Sequence, residues 1–405
     1  MSPGLLLVVL VVVAYLAAHV AFDWLARRFL IVSGVEYLVL GILLGPQVSG
    51  VLSAEMLASF APITTLALGW IGAIVGMQFY LQDLVRIKAQ QYRIAFFESM
   101  TTLGVVMGLE MVALSWLFGI PYWQSAVPGF ALGAIAATST PSGIEVVARR
   151  LSRRGPIVRQ LEITTAVDAL VAVVAMGLMM CIQNPAGQAG GRPLTSTEWV
   201  AVTLGIGIIG GALFHLFLGE ERHIDRIFIS LAGAIILTSG AASYLGLSPL
   251  LPAMIVGIML VNTSATRAEI QRTLVTAERP FYFVLLIVAG ASWQPGLVRS
   301  FIPVALFLIA RAAGKIGGAR LSARLNDALP LLGLHWGRAL LGHGGLALAL
   351  ALDYVQHDRL LFPNIVFTAA IVSVLLTDLS SARLVQSVVA PLTARDQVAV
   401  PTSDA

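Results

Sequence analysis

The sequence predicts an all-α, polytopic membrane protein with thirteen transmembrane helices, and three observations carry that prediction. Hydrophobic residues make up 58% of the 405 positions and charged residues only 11%, less than half of the roughly 25% usual in soluble domains, and the mean hydropathy is +0.89. Apolar runs of roughly 20 residues, each long enough to cross a hydrocarbon core, recur along the whole length and leave no room for a soluble domain. The basic residues alternate from loop to loop. With spans at 4–22, 30–46, 57–81, 93–118, 126–148, 157–182, 199–218, 225–240, 247–262, 280–294, 299–319, 332–352 and 363–390, 20 of the 25 lysines and arginines follow odd-numbered spans or sit in the tail, and only Arg192, Arg299 and Arg359 follow even-numbered ones. That split is the positive-inside signature; it puts the N-terminus outside and the C-terminus in the cytoplasm, and a missed or extra span would scramble it.

The first span, around Leu5 to Phe22, has no basic residue before it and no small-residue cleavage site after it, so it reads as a retained helix rather than a signal peptide. The odd count suggests two six-helix halves, inverted about a linker helix at 199–218, a common plan for secondary transporters. Leu38-Val-Leu-Gly-Ile-Leu-Leu44 in span 2 and Met254-Ile-Val-Gly-Ile-Met-Leu260 in span 9 are a faint trace of that repeat. Span 4 holds Glu98 and Glu110, to which sequence assigns no role. The single cysteine, Cys181, excludes an intramolecular disulfide and a thiolate metal cluster. The net charge of +4 reports loop bias rather than nucleic-acid affinity.

Four later spans carry polar groups near their centres. Span 5 is interrupted by Thr138-Ser139-Thr140-Pro141; lipid offers hydroxyls no partner, and a proline frees backbone carbonyls that need one. Span 6 places Asp168 about 16 Å along its axis at 1.5 Å per residue, where a carboxylate costs at least ~2.5–3.5 kcal/mol on insertion scales and so faces a cavity, a partner or an ion. Span 11 holds Arg311, and Lys315 one turn nearer its end, where a lysine is expected to snorkel to the interface. Span 12 holds His343-Gly344-Gly345, and the histidine is expected to be packed. Span 13 holds Asp378, the best rival ionisable group. The breaks in spans 5 and 12 predict two discontinuous helices whose freed carbonyls suit cations. The hydroxyls of Thr138, Ser139 and Thr140 add hard oxygen donors of the kind that hold monovalent cations. An ionised Asp168 can hold a cation and a protonated one needs none, so one carboxylate that takes either couples the two fluxes.

An ordered set of motifs covers nearly the whole chain: Gly41-Ile-Leu-Leu-Gly-Pro46, Leu68-Gly-Trp-Ile-Gly-Ala-Ile-Val-Gly-Met77, Ala136-Ala-Thr-Ser-Thr-Pro141, Asp168, Arg311-Ala-Ala-Gly-Lys315 and Gly344-Gly-Leu-Ala-Leu-Ala-Leu350. In these the chain resembles the cation:proton antiporter superfamily, of the thirteen-helix sodium/proton exchanger type. The resemblance implies a core of helices at about 93–182 and 299–390, a dimerisation scaffold at about 1–81 and 225–294, the linker at 199–218, a short cytoplasmic tail at 391–405, elevator-type alternating access and a homodimer. It makes Asp168 the ion and proton carrier, with Thr138, Ser139 and Thr140 beside it and Arg311, Lys315, Pro141, His343, Gly344 and Gly345 in support. The family has Asn-Asp or Asp-Asp at the carrier position, where this chain has Val167-Asp168. Its electroneutral members pair the span-11 arginine with a glutamate five residues before the aspartate; Ile163 stands there, with Glu162 about 100° round the helix. Nucleotide-binding domains attached to potassium-efflux relatives have no counterpart in the tail.

The function implied is a secondary antiporter exchanging protons for a monovalent cation, sodium first and potassium second, electroneutral, in a bacterial inner membrane, with no cofactor beyond the transported ions. The alternatives are a sodium-coupled organic-anion symporter of the same architecture, a non-transporting sensor derived from it, and an intramembrane aspartyl protease using Asp168 and Asp378. Phosphate-loop, Gly-x-Ser-x-Gly and zinc patterns are absent from the sequence, so an enzyme is not expected.

Overall fold

The computed structural model describes residues 34–150, 155–184, 188–189, 192–218, 224–264, 267–296, 298–357 and 359–398. The expected first span, 4–22, lies outside the described residues. A helix or a broken helix stands at each of the other twelve expected spans. Seven helices are at least 18 residues long and apolar enough to cross a membrane, and a bent pair over 363–390 makes an eighth. The chain is therefore an all-helical, multi-pass membrane protein. Strand structure among the described residues is confined to a two-residue antiparallel pair, Gln188–Ala189 with Arg192–Pro193.

Two groups of helices pack side by side. In the first, α1 (Val35–Leu44) lies along α12 (Arg267–Ala291), and α3 (Ala61–Met77) along α11 (Leu250–Thr263). Both pairs cross at glycines. A Cβ on Gly41 would sit 2.2 Å from the Ile287 carbonyl oxygen, and one on Gly290 2.2 Å from that of Leu38. In the other pair Gly76 meets the Met254 carbonyl at 2.0 Å and Gly257 that of Ala73 at 2.1 Å. Within lipid, where no hydrophobic force draws helices together, such backbone-to-backbone approach is what small residues are for. This is the physical content of the glycine motifs in spans 2, 3 and 9. Gly257→Val is expected to force α3 from α11 and cost about 1–3 kcal/mol or more by overpacking. Melting in detergent checks it against Gly205→Val, a glycine with nothing within 4 Å; equal melting of the two would sink it.

In the second group, α5 (Ala89–Phe118) packs on α6 (Tyr122–Ala137), on α8 (Pro156–Gln183) and on α13 (Phe301–Leu325), with α15 (Gly345–Val355) and α16 (Pro363–Val398) alongside. The crossing of α13 with α5 uses Gly314 and Gly318, whose added Cβ atoms would lie 3.0 Å from Thr102 Cα and from the Glu98 carbonyl. Helix α9 (Ser196–Leu218) follows α8 and packs on α11 and on α10 (Ile224–Tyr244).

Three boundaries depart from expectation. Span 10 was expected from 280, but α12 begins at Arg267 and runs through Pro280. Its charged first turns are held by a buried edge of Ile270, Thr273 and Leu274, and the Trp70 indole donates to the Leu274 carbonyl at 3.1 Å. Span 11 was expected to end at 319, yet α13 continues to Leu325 with Arg324 in its last turn, where a cation complements the helix dipole. The first half of span 12 holds a five-residue 3₁₀ turn, Trp336–Leu340, packed so closely on α13 at Gly337 that a Cβ there would be 2.6 Å from the Lys315 carbonyl.

Candidate functional site

Both expected interruptions are present, and they meet. Helix α6 ends at Ala137, Thr138 turns extended with ψ 144, and the chain re-enters helix at Ser142, the start of α7 (Ser142–Arg150). Proline at 141 excludes helical geometry for Thr140 before it. In span 12 the unwound stretch runs from Leu341 to Gly344, which is extended, ahead of α15. The two stretches touch through the Thr140 N–H, which donates to the Gly342 carbonyl at 3.0 Å. Glycine is required on the span-12 side, since a Cβ on Gly342 or Gly344 would lie 2.7 Å from Thr140 side-chain atoms.

Asp168 sits at the middle of α8, wholly buried and against this crossing. Lys315 Nζ donates to its Oδ2 at 2.7 Å, to Glu98 Oε2 at 3.2 Å and to the Ala137 carbonyl at 2.7 Å. An ammonium has three N–H donors, and all three are used. Ser139 Oγ lies 2.7 Å from Asp168 Oδ2 and 3.1 Å from the Leu340 carbonyl; its one hydrogen serves the nearer carboxylate. Thr102 donates to Glu98 Oε1 at 3.0 Å. Asp168 Oδ1 is buried and has no hydrogen-bond partner among the described residues.

Lysine 315 thus does not snorkel. Because α13 runs on to Leu325, Lys315 stands ten residues from its end, and it is fully buried in two ion pairs. Glu98 also belongs to the site, and its signal was readable. Gly314 and Gly318 flank Lys315 at helical spacing, marking the α13 face that meets a neighbour closely, and Glu98 with Thr102 forms an i, i+4 polar pair on the facing helix.

Arg311 performs a different task from Lys315. It donates to the carbonyls of Leu341 at 2.7 Å and Thr138 at 3.0 Å, with Gly342 at 3.4 Å, so one planar guanidinium fork closes the open ends of both broken helices. No carboxylate lies within ion-pair distance of it among the described residues. Written fully ionised, however, Arg311 and Lys315 balance Asp168 and Glu98, so the buried cluster as a whole is neutral. His343 is packed, as expected: Nε2 lies 2.9 Å from the Ile135 carbonyl and Nδ1 2.8 Å from Ser373 Oγ. A carbonyl only accepts, so Nε2 carries the hydrogen and the ring ties the two breaks together.

Among the three hydroxyl residues of the break, only Ser139 reaches Asp168. Thr138 Oγ1 bonds back to the Ile135 carbonyl at 2.8 Å, and Thr140 Oγ1 pairs with Ser142 Oγ at 2.7 Å. The freed carbonyls of Ala137, Thr138, Leu341 and Gly342, expected to face a cation, are already taken by Arg311 and Lys315, and that of Ile135 by His343. What can hold a cation is therefore the socket now filled by the Lys315 ammonium, together with Asp168 Oδ1. A cavity of about 330 Å³ reaches Thr138, Ser139 and Thr140 and is lined beyond them by Tyr282, Glu278 and Asp378. Among the described residues no group of three or more His, Cys, Asp or Glu side chains is placed to hold a metal.

In shape the chain is similar to solved structures of the sodium/proton antiporter MjNhaP1 from Methanocaldococcus jannaschii. One matches with a TM-score of 0.65 at 15% identity over 95% of this chain and 99% of that one. A second, from electron microscopy, gives 0.65 at 15% identity over the full length of both. In sequence it is 28% identical over 239 residues to the ammonium/H⁺ antiporter subunit AmhT of Alkalihalophilus pseudofirmus, across 58% of this chain and 57% of that protein. The chain therefore matches little more than half the length of that relative. No family model matches it. The fold is that of a sodium/proton antiporter, and both likenesses fit the cation:proton antiporter superfamily to which the motifs point.

Proposed function

We propose that this chain, built on the antiporter fold, exchanges protons for a monovalent cation through Asp168, Lys315 and Glu98. The observation that carries this reading is the buried ammonium socket at the crossing of two broken helices, reached by a cavity. A cation entering the socket must displace the Lys315 head from Asp168. The cluster balances at two positive and two negative charges, and a buried excess charge costs several kcal/mol per ion, so entry of one cation favours release of one proton. With both carboxylates ionised in that accounting, the Lys315 ammonium, at the end of its flexible stem, supplies it. That accounting supports one cation per proton and an electroneutral cycle. Arg311 and His343 position the breaks and do not exchange.

Sodium is the first reading for the cation, on the likeness to a sodium/proton antiporter. Ammonium, or potassium of similar size, is a second. It is favoured by a socket whose three acceptors lie 2.7–3.2 Å from an ammonium nitrogen and by the relative whose name is an ammonium/H⁺ antiporter subunit. The glycine crossings support the expected inverted halves: span 2 meets span 10 and span 9 meets span 3, the pairing that two related halves would give. On this reading α5, α6, α8, α13, α15 and α16 move as the core against a dimeric scaffold in a bacterial inner membrane, N-terminus outside, with the cavity open to the cytoplasm. Proteoliposomes carrying an internal pH dye test the whole proposal. Collapse of an imposed pH gradient is expected on adding sodium, potassium or ammonium but not choline. No response to any of them ends the reading, and the order of responses fixes the cation.

A further inference from the structure

Outside the cluster around Asp168, buried carboxylates stand at Glu110, Asp353 and Asp378; of these three, the one that lines the cavity is that of Asp378. It lies on α16 and is 8% exposed. Its backbone carbonyl accepts from Ser381 Oγ at 2.9 Å, while its side chain has no hydrogen bond or ion pair among the described residues. Helix α16 bends by 53° just after it, between Asp378 and Ser380. Hydroxyls of Thr377, Ser380 and Ser381 serve the carbonyls of Ser373, Thr377 and Asp378, all leading up to the bend, which is how a kinked helix satisfies its opened backbone. The carboxylate lines the same cavity that leads to Ser139, with the paired hydroxyls of Thr140 and Ser142 on the adjoining wall and Tyr282 beside them. Glu278 and Arg279 stand on that lining too, so its ionisable groups number two acids and one base, and a negative cleft with low-dielectric walls raises the local concentration of cations.

A bare carboxylate this buried is costly without a partner, and no side chain among the described residues supplies one. We propose that Asp378, with the Thr140 and Ser142 hydroxyls, forms a second monovalent-cation site, a waiting station between the cavity mouth and Asp168. The cavity has room for a cation that keeps part of its water, about 330 Å³ against roughly 30 Å³ per liquid water. The ion stops there hydrated and gives up water only at the inner socket. This deepens the transport reading, on which its role rests.

Two measurements test it. In proteoliposomes, Asp378→Asn is expected to raise the half-saturating cation concentration about tenfold, a larger change than any in maximal rate, with Asp378→Glu restoring it. An unchanged half-saturating concentration overturns the station. Loss confined to maximal rate also overturns it, because Asp378 then serves the transport step itself. The second measurement uses purified protein and radioactive sodium or thallium. The Asp168→Asn variant, stripped of the inner carboxylate, is expected to keep one bound cation, and the Asp168→Asn/Asp378→Asn double variant to bind none. Equal binding by the two variants overturns the proposal, provided both elute and melt as folded protein. If the wild type exchanges nothing yet the binding difference holds, the transport reading fails and the site stands.

Discussion

Asp168→Asn is expected to reduce cation-driven proton movement to background while leaving a folded protein. Asparagine matches the carboxylate in shape and still accepts from Ser139, so the crossing keeps its packing. It cannot take a proton or balance an ion, and both halves of the exchange need one or the other. The Lys315 ammonium loses its 2.7 Å carboxylate but retains Glu98 and the Ala137 carbonyl. The cost in stability is therefore at the lower end of the roughly 3–5 kcal/mol seen when a buried ion pair loses one member. The pH-dye assay reads the first effect and detergent melting the second. Exchange at half the wild-type rate or better would remove Asp168 from the mechanism, and with it the proposal.

Lys315→Ala is expected to have the larger structural effect and a revealing rescue. Without the ammonium, Asp168 and Glu98 face one vacated position from 2.7 and 3.2 Å. The variant should lose the upper part of that same ~3–5 kcal/mol. It should regain much of it when sodium, potassium or ammonium is supplied, since a ligand present at 100 times its Kd adds about 2.7 kcal/mol. Choline, too bulky for the position, should not help. A melting temperature that ignores the cation would show that the lysine is a structural tie and that no ion takes its place. Arginine is no substitute, because its planar fork cannot meet three acceptors arranged around a point.

Much of this was legible in the sequence because lipid makes polar groups conspicuous. Asp168, the Thr-Ser-Thr-Pro break and the His-Gly-Gly break stood out as groups without partners in an apolar run, and the structure brings all three together. What was hidden depended on helix ends and on helix facing. Arg320 and Arg324 read as loop, so Lys315 looked terminal; two further turns of α13 make it central. Glu98 lay near the expected start of its span; Gly314 and Gly318 were readable as a close-packing face, but that this face meets Glu98 and Thr102 came only with the structure. The charged start of α12 offered no apolar run to recognise, since it is held by packing beneath Trp70. The hydroxyls were legible as a group but not individually, because which of three neighbouring side chains turns toward Asp168 is set by local backbone at the break.

The shared guanidinium has a mechanical consequence. Arg311, rooted in α13, grips Thr138 on one broken helix and Leu341 and Gly342 on the other, while His343 laces the second to Ile135 of the first. Neither strand of the crossing can slide without dragging its mate and α13 with it. The knot is thereby a single yoked piece, and on the proposed exchange an ion lodged within it is carried along with all three helices rather than hopping between independently flexing walls.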